Sequence, residues 1–266
     1  MIEIDKSQGQ VLLPLFDGMD DTLILSYAQG HMGRGWADNA DNPTCAQILV
    51  GAFCFFAGDH QEEDAAALAG NIPPDCETPW GNILFIPQNE GWGALIEAAY
   101  PVHEKCIRYA IRKEPGCFDR ARLQSFIDLL PEGYELEKIG GEHYEETKKH
   151  EFSSDFCSQF ATAEDYAARG LGVCVLHEGK IVGGASSYTM YDGGIEIEIA
   201  VREEYRRKGL ATACAARLIL NCLDRDLYPS WDAANRESVA LAEKLGYHFS
   251  HEYDAYSVDL PGTNRD

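Results

Sequence analysis

The sequence predicts a mixed α/β protein in two parts, the second more regular than the first. Three observations carry this. Strand-like runs follow one another closely at Gly172 to His177, Lys180 to Met190 and Ile195 to Val201. An alanine-rich helical pattern from Gly209 to about Leu223, a short strand at Tyr228 to Trp231 and a helix from Glu237 to Leu245 come after them. Pro131, Glu132 and Gly133 form the best boundary signal, dividing the chain into a smaller N-terminal mixed α/β domain over 1–131 and a C-terminal domain over 132–266.

In the first part, Ile48 to Phe56 and Ile83 to Ile86 read as strands, and the long apolar stretch from Ile48 to Gly58 as one buried strand. Glu62 to Ala69 and Trp92 to Ala99 read as short helices, and Cys106 to Ile111 as a further strand. Asp119 to Leu130 is the clearest helix: Asp119 caps it, Leu123, Phe126, Ile127 and Leu130 recur at helical spacing, and Pro131 stops it. Gly30, Gly33 and Gly35 share a segment with His31 and Arg34 but open no helix, so a flexible surface loop is expected there rather than an anion site. Asp59 and His60 read as a turn at a strand end.

In the second part, Tyr134 to Ile139 is expected as a strand, followed by helical segments at Glu142 to Lys149 and Ala163 to Arg169. Glu178-Gly179 joins the first two of the three close strands as a hairpin, and Asp192-Gly193-Gly194 joins the next two. A last strand begins at Tyr247. No sequence repeat links the halves.

Composition narrows the function. At 45% hydrophobic and 25% charged, the 266 residues suffice for a substantial core. Forty-four acidic against 22 basic residues give a net charge of −22, a surface that repels phosphate backbones and argues against nucleic acid. It would attract a protonated amine, although acidity also simply keeps a protein dissolved. The nine cysteines are scattered, the closest pair eight residues apart, with no C-x-x-C, so neither a metal site nor a disulfide framework is expected. Met1 to Gln10 lacks the basic start and apolar run of a signal peptide, and no apolar stretch spans a bilayer. A cytoplasmic protein without a membrane partner is expected, with its oligomeric state unread.

The decisive stretch runs from Ile195 to Ala211. Ile195, Ile197, Ile199 and Val201 share one face of a strand, and Glu196 and Glu198 the other. After a short loop, Arg206, Arg207 and Lys208 crowd the start of a helix at Gly209. Each cation there is unfavourable by roughly 0.3–1 kcal/mol against the helix dipole. An anion docked on the free amides would reverse the sign, and a glycine would let the backbone come close to it. A solvated basic turn is the alternative, against which stands the rarity of basic clusters in so acidic a chain. The spacing is neither that of a Walker loop nor a dinucleotide fingerprint.

Arg206-x-x-Gly209-x-Ala211 between strand and helix resembles the pyrophosphate loop of the GNAT superfamily of N-acetyltransferases. Farther on, Asn235-Arg236-Glu237-Ser238 and Leu241-Ala242-Glu243-Lys244-Leu245-Gly246-Tyr247 resemble the second signature of that superfamily. The resemblance covers roughly Tyr134 to Asp259. Through Tyr228-Pro229-Ser230-Trp231-Asp232-Ala233-Ala234-Asn235 it looks closest to a subgroup that includes proteins conferring resistance to the aminopolyol antibiotic zwittermicin.

The resemblance implies a GNAT fold whose strands Ile195–Val201 and Tyr228–Trp231 splay apart around the pantetheine arm of acetyl-CoA. It implies that main-chain groups of Ile199 and Val201 bond that arm. The amides of Arg206, Arg207, Lys208, Gly209, Leu210, Ala211 and Thr212 would hold the pyrophosphate, and Asn235 and Ser238 would face the cofactor. Acetyl transfer to a primary amine, one belonging to a small cationic molecule, is the implied activity, by direct attack on the thioester without a metal. An ammonium must first lose a proton, so a carboxylate is expected as base. Glu196 and Glu198 are the candidates, with Glu198 preferred. The tyrosine acid of many members is replaced here by Ala242; either Tyr247 or another tyrosine stands in, or the thiol, of pKa ~8.5, leaves unprotonated. Transfer to a protein or peptide amine, and a catalytically weak acyl-CoA sensor or partner-binding module, are the other readings. The first half is expected as a degenerate copy of the second.

Overall fold

The structure, a computed structural model, describes residues 1–260. In chain order the first elements are β1 (Ile2–Ile4), α1 (Thr22–Ala28), β2 (Arg34–Ala37), β3 (Cys45–Val50), β4 (Phe53–Gly58), α2 (Ala65–Ala69), β5 (Asn82–Pro87), α3 (Glu90–Ala99), β6 (Glu104–Ile111) and α4 (Arg120–Asp128). Then come β7 (Tyr134–Lys138), α5 (Glu142–Thr147), a 3-10 helix (Glu151–Phe156), α6 (Ala163–Arg169), β8 (Gly172–His177), β9 (Lys180–Tyr191) and β10 (Gly194–Val201). The last are α7 (Leu210–Leu223), β11 (Tyr228–Ser230), β12 (Asp232–Ala233), α8 (Arg236–Leu245) and β13 (Phe249–Asp259).

The chain forms two units, one of Met1–Arg108 completed by the chain from Tyr253, the other of Tyr109–Glu252. The division therefore lies earlier than the turn at Pro131. Leu123 and Ile127 of α4 share the core of α7, so that turn bends the chain inside the second unit. A proline marks where a helix ends, whereas burial decides where a core ends.

In the first unit β1, β2, β3 and β4 pair antiparallel in sequence, β5 joins β4 in parallel, and β13 pairs antiparallel with β5. The long apolar run expected as one strand is a hairpin, with Val50 opposite Phe53. Gly51 has φ +58°, as the first central residue of a tight hairpin turn requires. Nor is the Gly30–Gly35 segment simply a surface loop. Gly35 belongs to β2, and a Cβ there would lie 2.4 Å from the Tyr27 ring. Arg34 bonds Glu3 and Asp75, which leaves it committed to carboxylates rather than to an anion.

The second unit repeats the plan. β7, β8, β9 and β10 pair antiparallel in sequence, and β11 joins β10 in parallel. Asp119 caps α4 through the Ala121 and Arg122 amides, and Thr162 caps α6 through the Asp165 amide. Ten of the 14 residues of α7 are buried, small Ala213, Cys214, Ala215 and Ala216 among them, and the helix packs on β8, β9, β10 and α4. The nine cysteines are free thiols, six of them buried; burial pushes the Cys174 thiol to about 12. No helix among the described residues is long and apolar enough to cross a membrane.

Leu218 is fully buried in α7. Leu218→Ala is expected to destabilise the second unit by about 2–5 kcal/mol, read from the midpoint of denaturant unfolding followed by circular dichroism.

Candidate active site

Strand β10 brings the two expected faces into different surroundings. Ile195 and Ile197 enter the core around α7. Glu196 and Glu198 lie on the other face, in register with Thr189 and Ser186 of β9. Glu196 is 7% exposed, and its Oε1 accepts a 2.7 Å bond from the Asp232 N–H. Glu198 is half-buried. Between Glu196 and Ile197 the register with β9 slips by one residue, leaving Tyr188 as the extra one.

Beside these carboxylates β10 and β11 part. They pair at Gly194–Tyr228, Ile195–Pro229 and Glu196–Ser230. The chain then turns away, and Asp232 and Ala233 pair with Ala110 and Tyr109 instead. The Tyr228 N–H bonds the Gly193 carbonyl, while the Arg202 N–H bonds the Val182 carbonyl on the β9 side. Main-chain groups alternate along a strand, so the Ile197 carbonyl and the groups of Ile199 and Val201 face the side that β11 has left, the Ile197 amide still belonging to the Glu196–Ser230 pair. The Val201 carbonyl accepts a long 3.4 Å bond from Arg206 Nε, which leaves the Val201 amide toward the opening.

Helix α7 starts where this opening ends. Its first internal bond runs from the Ala213 N–H to the Gly209 carbonyl, so the amides of Leu210, Ala211 and Thr212 precede the ladder. Among the described residues no side chain caps the helix. Gly209 has φ +82°, and a Cβ there would meet nothing within 4 Å. Its left-handed backbone therefore accounts for the glycine, and the space above it is open. Arg207 holds φ +62°, a conformation costing a side-chain-bearing residue roughly 1–2 kcal/mol.

The three cations of the turn are exposed but not equivalent. Lys208 leans onto aromatic rings, with Nζ 3.2 Å from the Tyr134 hydroxyl and 4.8 Å from the centre of the Tyr205 ring. A fourth cation was not singled out in the sequence. Lys244 Nζ lies 3.5 Å from Thr212 Oγ1, in the first turn of α7. Its only sequence signal was its place inside the Leu-Gly-Tyr signature.

That signature has structural work of its own. Asn235 Oδ1 caps α8 by accepting from the Ser238 N–H at 2.8 Å, and the Ser238 hydroxyl accepts from Trp231 Nε1 at 3.2 Å. Gly246, at φ +115°, ends the helix. Tyr247 is buried and its hydroxyl donates to the Pro229 carbonyl at 2.6 Å, with burial holding its pKa well above the usual phenol range. Its proton is thus committed to the strand. Ala242 is fully buried in the core.

The model of the family described as GNAT acetyltransferase matches residues 13–256. The chain belongs to that family. The match begins 121 residues before Tyr134, so the first unit, too, follows the family pattern. The uncharacterized N-acetyltransferase YdfB of Bacillus subtilis strain 168 is 34% identical over 267 residues, covering 96% of this chain and 97% of that protein. The crystal structure of a GCN5-related N-acetyltransferase-like protein from Streptococcus suis 89/1591 is 39% identical, with a TM-score of 0.85 over 95% of this chain and 98% of that one. A tandem GNAT protein from the clavulanic acid biosynthesis pathway shares the fold at 12% identity, with a TM-score of 0.56 over 99% of each chain.

A GNAT acetyltransferase uses acetyl-CoA, and this site fits it on two counts: a strand edge released by its neighbour, and an uncapped helix start beside exposed cations. Among the described residues no cluster of three or more His, Cys, Asp or Glu is arranged to hold a metal. Arg207→Gly removes both a cation and the left-handed strain. Thermal unfolding should show stability unchanged or raised, while calorimetry shows affinity for CoA roughly 2–5-fold weaker, the worth of one charge at a helix start.

Proposed function

We propose that the second unit binds acetyl-CoA in the opening between β10 and β11 and transfers its acetyl group to a primary amine of a small cationic molecule. One observation carries the reading: the parting strands lead directly to an uncapped helix start flanked by Arg206, Arg207 and Lys208. In this reading main-chain groups of Ile199 and Val201 hold the pantetheine arm. The amides from Arg206 through Gly209, Leu210 and Ala211 to Thr212 hold the pyrophosphate, with Lys244 close by. Asn235 and Ser238 face the cofactor from α8.

Acetyl-CoA supplies an activated thioester. The chain's own task is to bind it, orient the acceptor and take the ammonium proton, directly or through a water. Glu198, half-buried on the strand that borders the opening, is the base, and Glu196 Oε1 accepts from the Asp232 amide. Tyr247, its hydroxyl bonded to Pro229, does not replace Ala242 as donor to the departing sulfur, and a thiol of pKa ~8.5 leaves adequately as the thiolate. The net charge of −22 favours a cationic acceptor. The similarity of Tyr228–Asn235 to the zwittermicin-resistance subgroup supports an amine-bearing small molecule. Nine unpaired thiols suit a reducing compartment, hence the cytoplasm.

The first unit is a degenerate copy. Its support is the shared plan of four antiparallel strands followed by a parallel fifth. Its β4 and β5, however, stay paired from Phe53–Leu84 to Phe56–Pro87, and the connection to α2 carries Asp59, Glu62, Glu63 and Asp64 instead of cations.

Buried Ala242 favours one further reading, a sensor that binds acyl-CoA without turnover. Release of CoA thiol from acetyl-CoA across a panel of small amines and peptides separates the readings, since tight CoA binding without release in any case leaves only the sensor. Glu198→Gln should lower kcat about 10²–10⁴-fold with little change in the KM for acetyl-CoA, measured by the same thiol release. Calorimetric titration should give one CoA per chain, and a stoichiometry of two would remove the degenerate-copy assignment.

A further inference from the structure

A parallel ladder advances two residues at a time. With the Tyr228 N–H on the Gly193 carbonyl, the next rung takes the Ser230 N–H to the Ile195 carbonyl. The rung after that would take the Asp232 N–H to the Ile197 carbonyl. The Asp232 N–H bonds Glu196 Oε1 instead, at 2.7 Å. A side-chain oxygen from the last paired residue of β10 thus stands where the next main-chain acceptor would be. The slip in register against β9 falls at the same step, so β10 departs from regular pairing on both edges between Glu196 and Ile197.

A carboxylate this buried is costly unless it is bonded, and an alkyl side chain would fill the same space without that cost. What its Oε1 supplies is an acceptor for the Asp232 amide. We propose that Glu196 is a positioning residue that holds the opening: by taking the Asp232 amide it stops β11 from zipping further onto β10 and leaves the edge from the Ile197 carbonyl to the Val201 amide for acyl-CoA. The role rests on the reading of this opening as the acyl-CoA site, and it differs from that of a base. It needs an acceptor oxygen, not a proton acceptor, so the amide of glutamine serves as well as a carboxylate.

The test combines CoA binding by calorimetry, turnover by thiol release, and amide hydrogen exchange by NMR. Glu196→Gln is expected to keep CoA affinity and kcat within about threefold of the wild type. Glu196→Ala is expected to bind CoA at least tenfold more weakly, with the Ile199 amide exchanging more slowly in the absence of ligand because the strands have closed. Glu196→Met, closer in volume, repeats the measurement if the alanine variant does not fold. Unchanged CoA affinity in the alanine or methionine variant overturns the proposal. So does a loss of kcat of a hundredfold or more in Glu196→Gln with CoA affinity intact, which would make Glu196 the base. Wild-type protein that binds no CoA would sink the acyl-CoA reading instead, and slower Ile199 exchange in Glu196→Ala would still support the part played by Glu196.

Discussion

A β-strand carries a row of amides and carbonyls that must all find partners, and in the second unit strand β10 loses its neighbour half-way along its length. Every other feature of the candidate site follows from that loss. The Ile197 carbonyl, both groups of Ile199 and the Val201 amide face a gap rather than another strand. The gap is lined by backbone, so it can bond an extended, amide-bearing molecule in the way a missing strand would, without demanding particular side chains. A pantetheine arm has that character. The side chains of the strand take other tasks: Ile195 and Ile197 enter the core, and Glu196 accepts from the Asp232 amide.

The two units differ in how far their parallel strands stay paired. Both run four antiparallel strands into a parallel fifth. In the first unit β4 and β5 remain in register through four pairs, and the connection that follows is acidic. In the second, pairing stops after three, and the connection is basic. A closed ladder satisfies its own polar groups and has nothing to offer a ligand. An acidic connection at a helix start also repels phosphate. The plan is shared by the two units, and both features belong to the second alone.

Helix α7 ties the opening to the basic turn. Its small buried residues let it lie close against β8, β9 and β10, which fixes its first turn at the end of the parted strands. Burial along most of its surface stabilises the helix, so its start can tolerate what a solvent-exposed helix would avoid: cations at the positive end, no side-chain cap and an arginine in a left-handed conformation. These are local losses of about 1 kcal/mol each, carried by the packing behind them.

The sequence by itself determined the order of elements in the second unit, the basic turn before α7 and the two signatures of the family, because these depend on period, turn chemistry and charge within a few residues of one another. It missed β1, α1 and β2, which are short and take their stability from contacts distant in sequence. It merged β3 and β4, since periodicity cannot see a two-residue turn inside a continuous apolar run. Only the tertiary structure decided where the units divide, that Tyr247 is bonded to Pro229, that Lys244 stands by Thr212, and that Glu196 and Glu198 are unlike despite sharing a face. Those distinctions arise from partners 18 to 36 residues away or farther, and alternation along a strand assigns a side chain to a face without saying what waits on it.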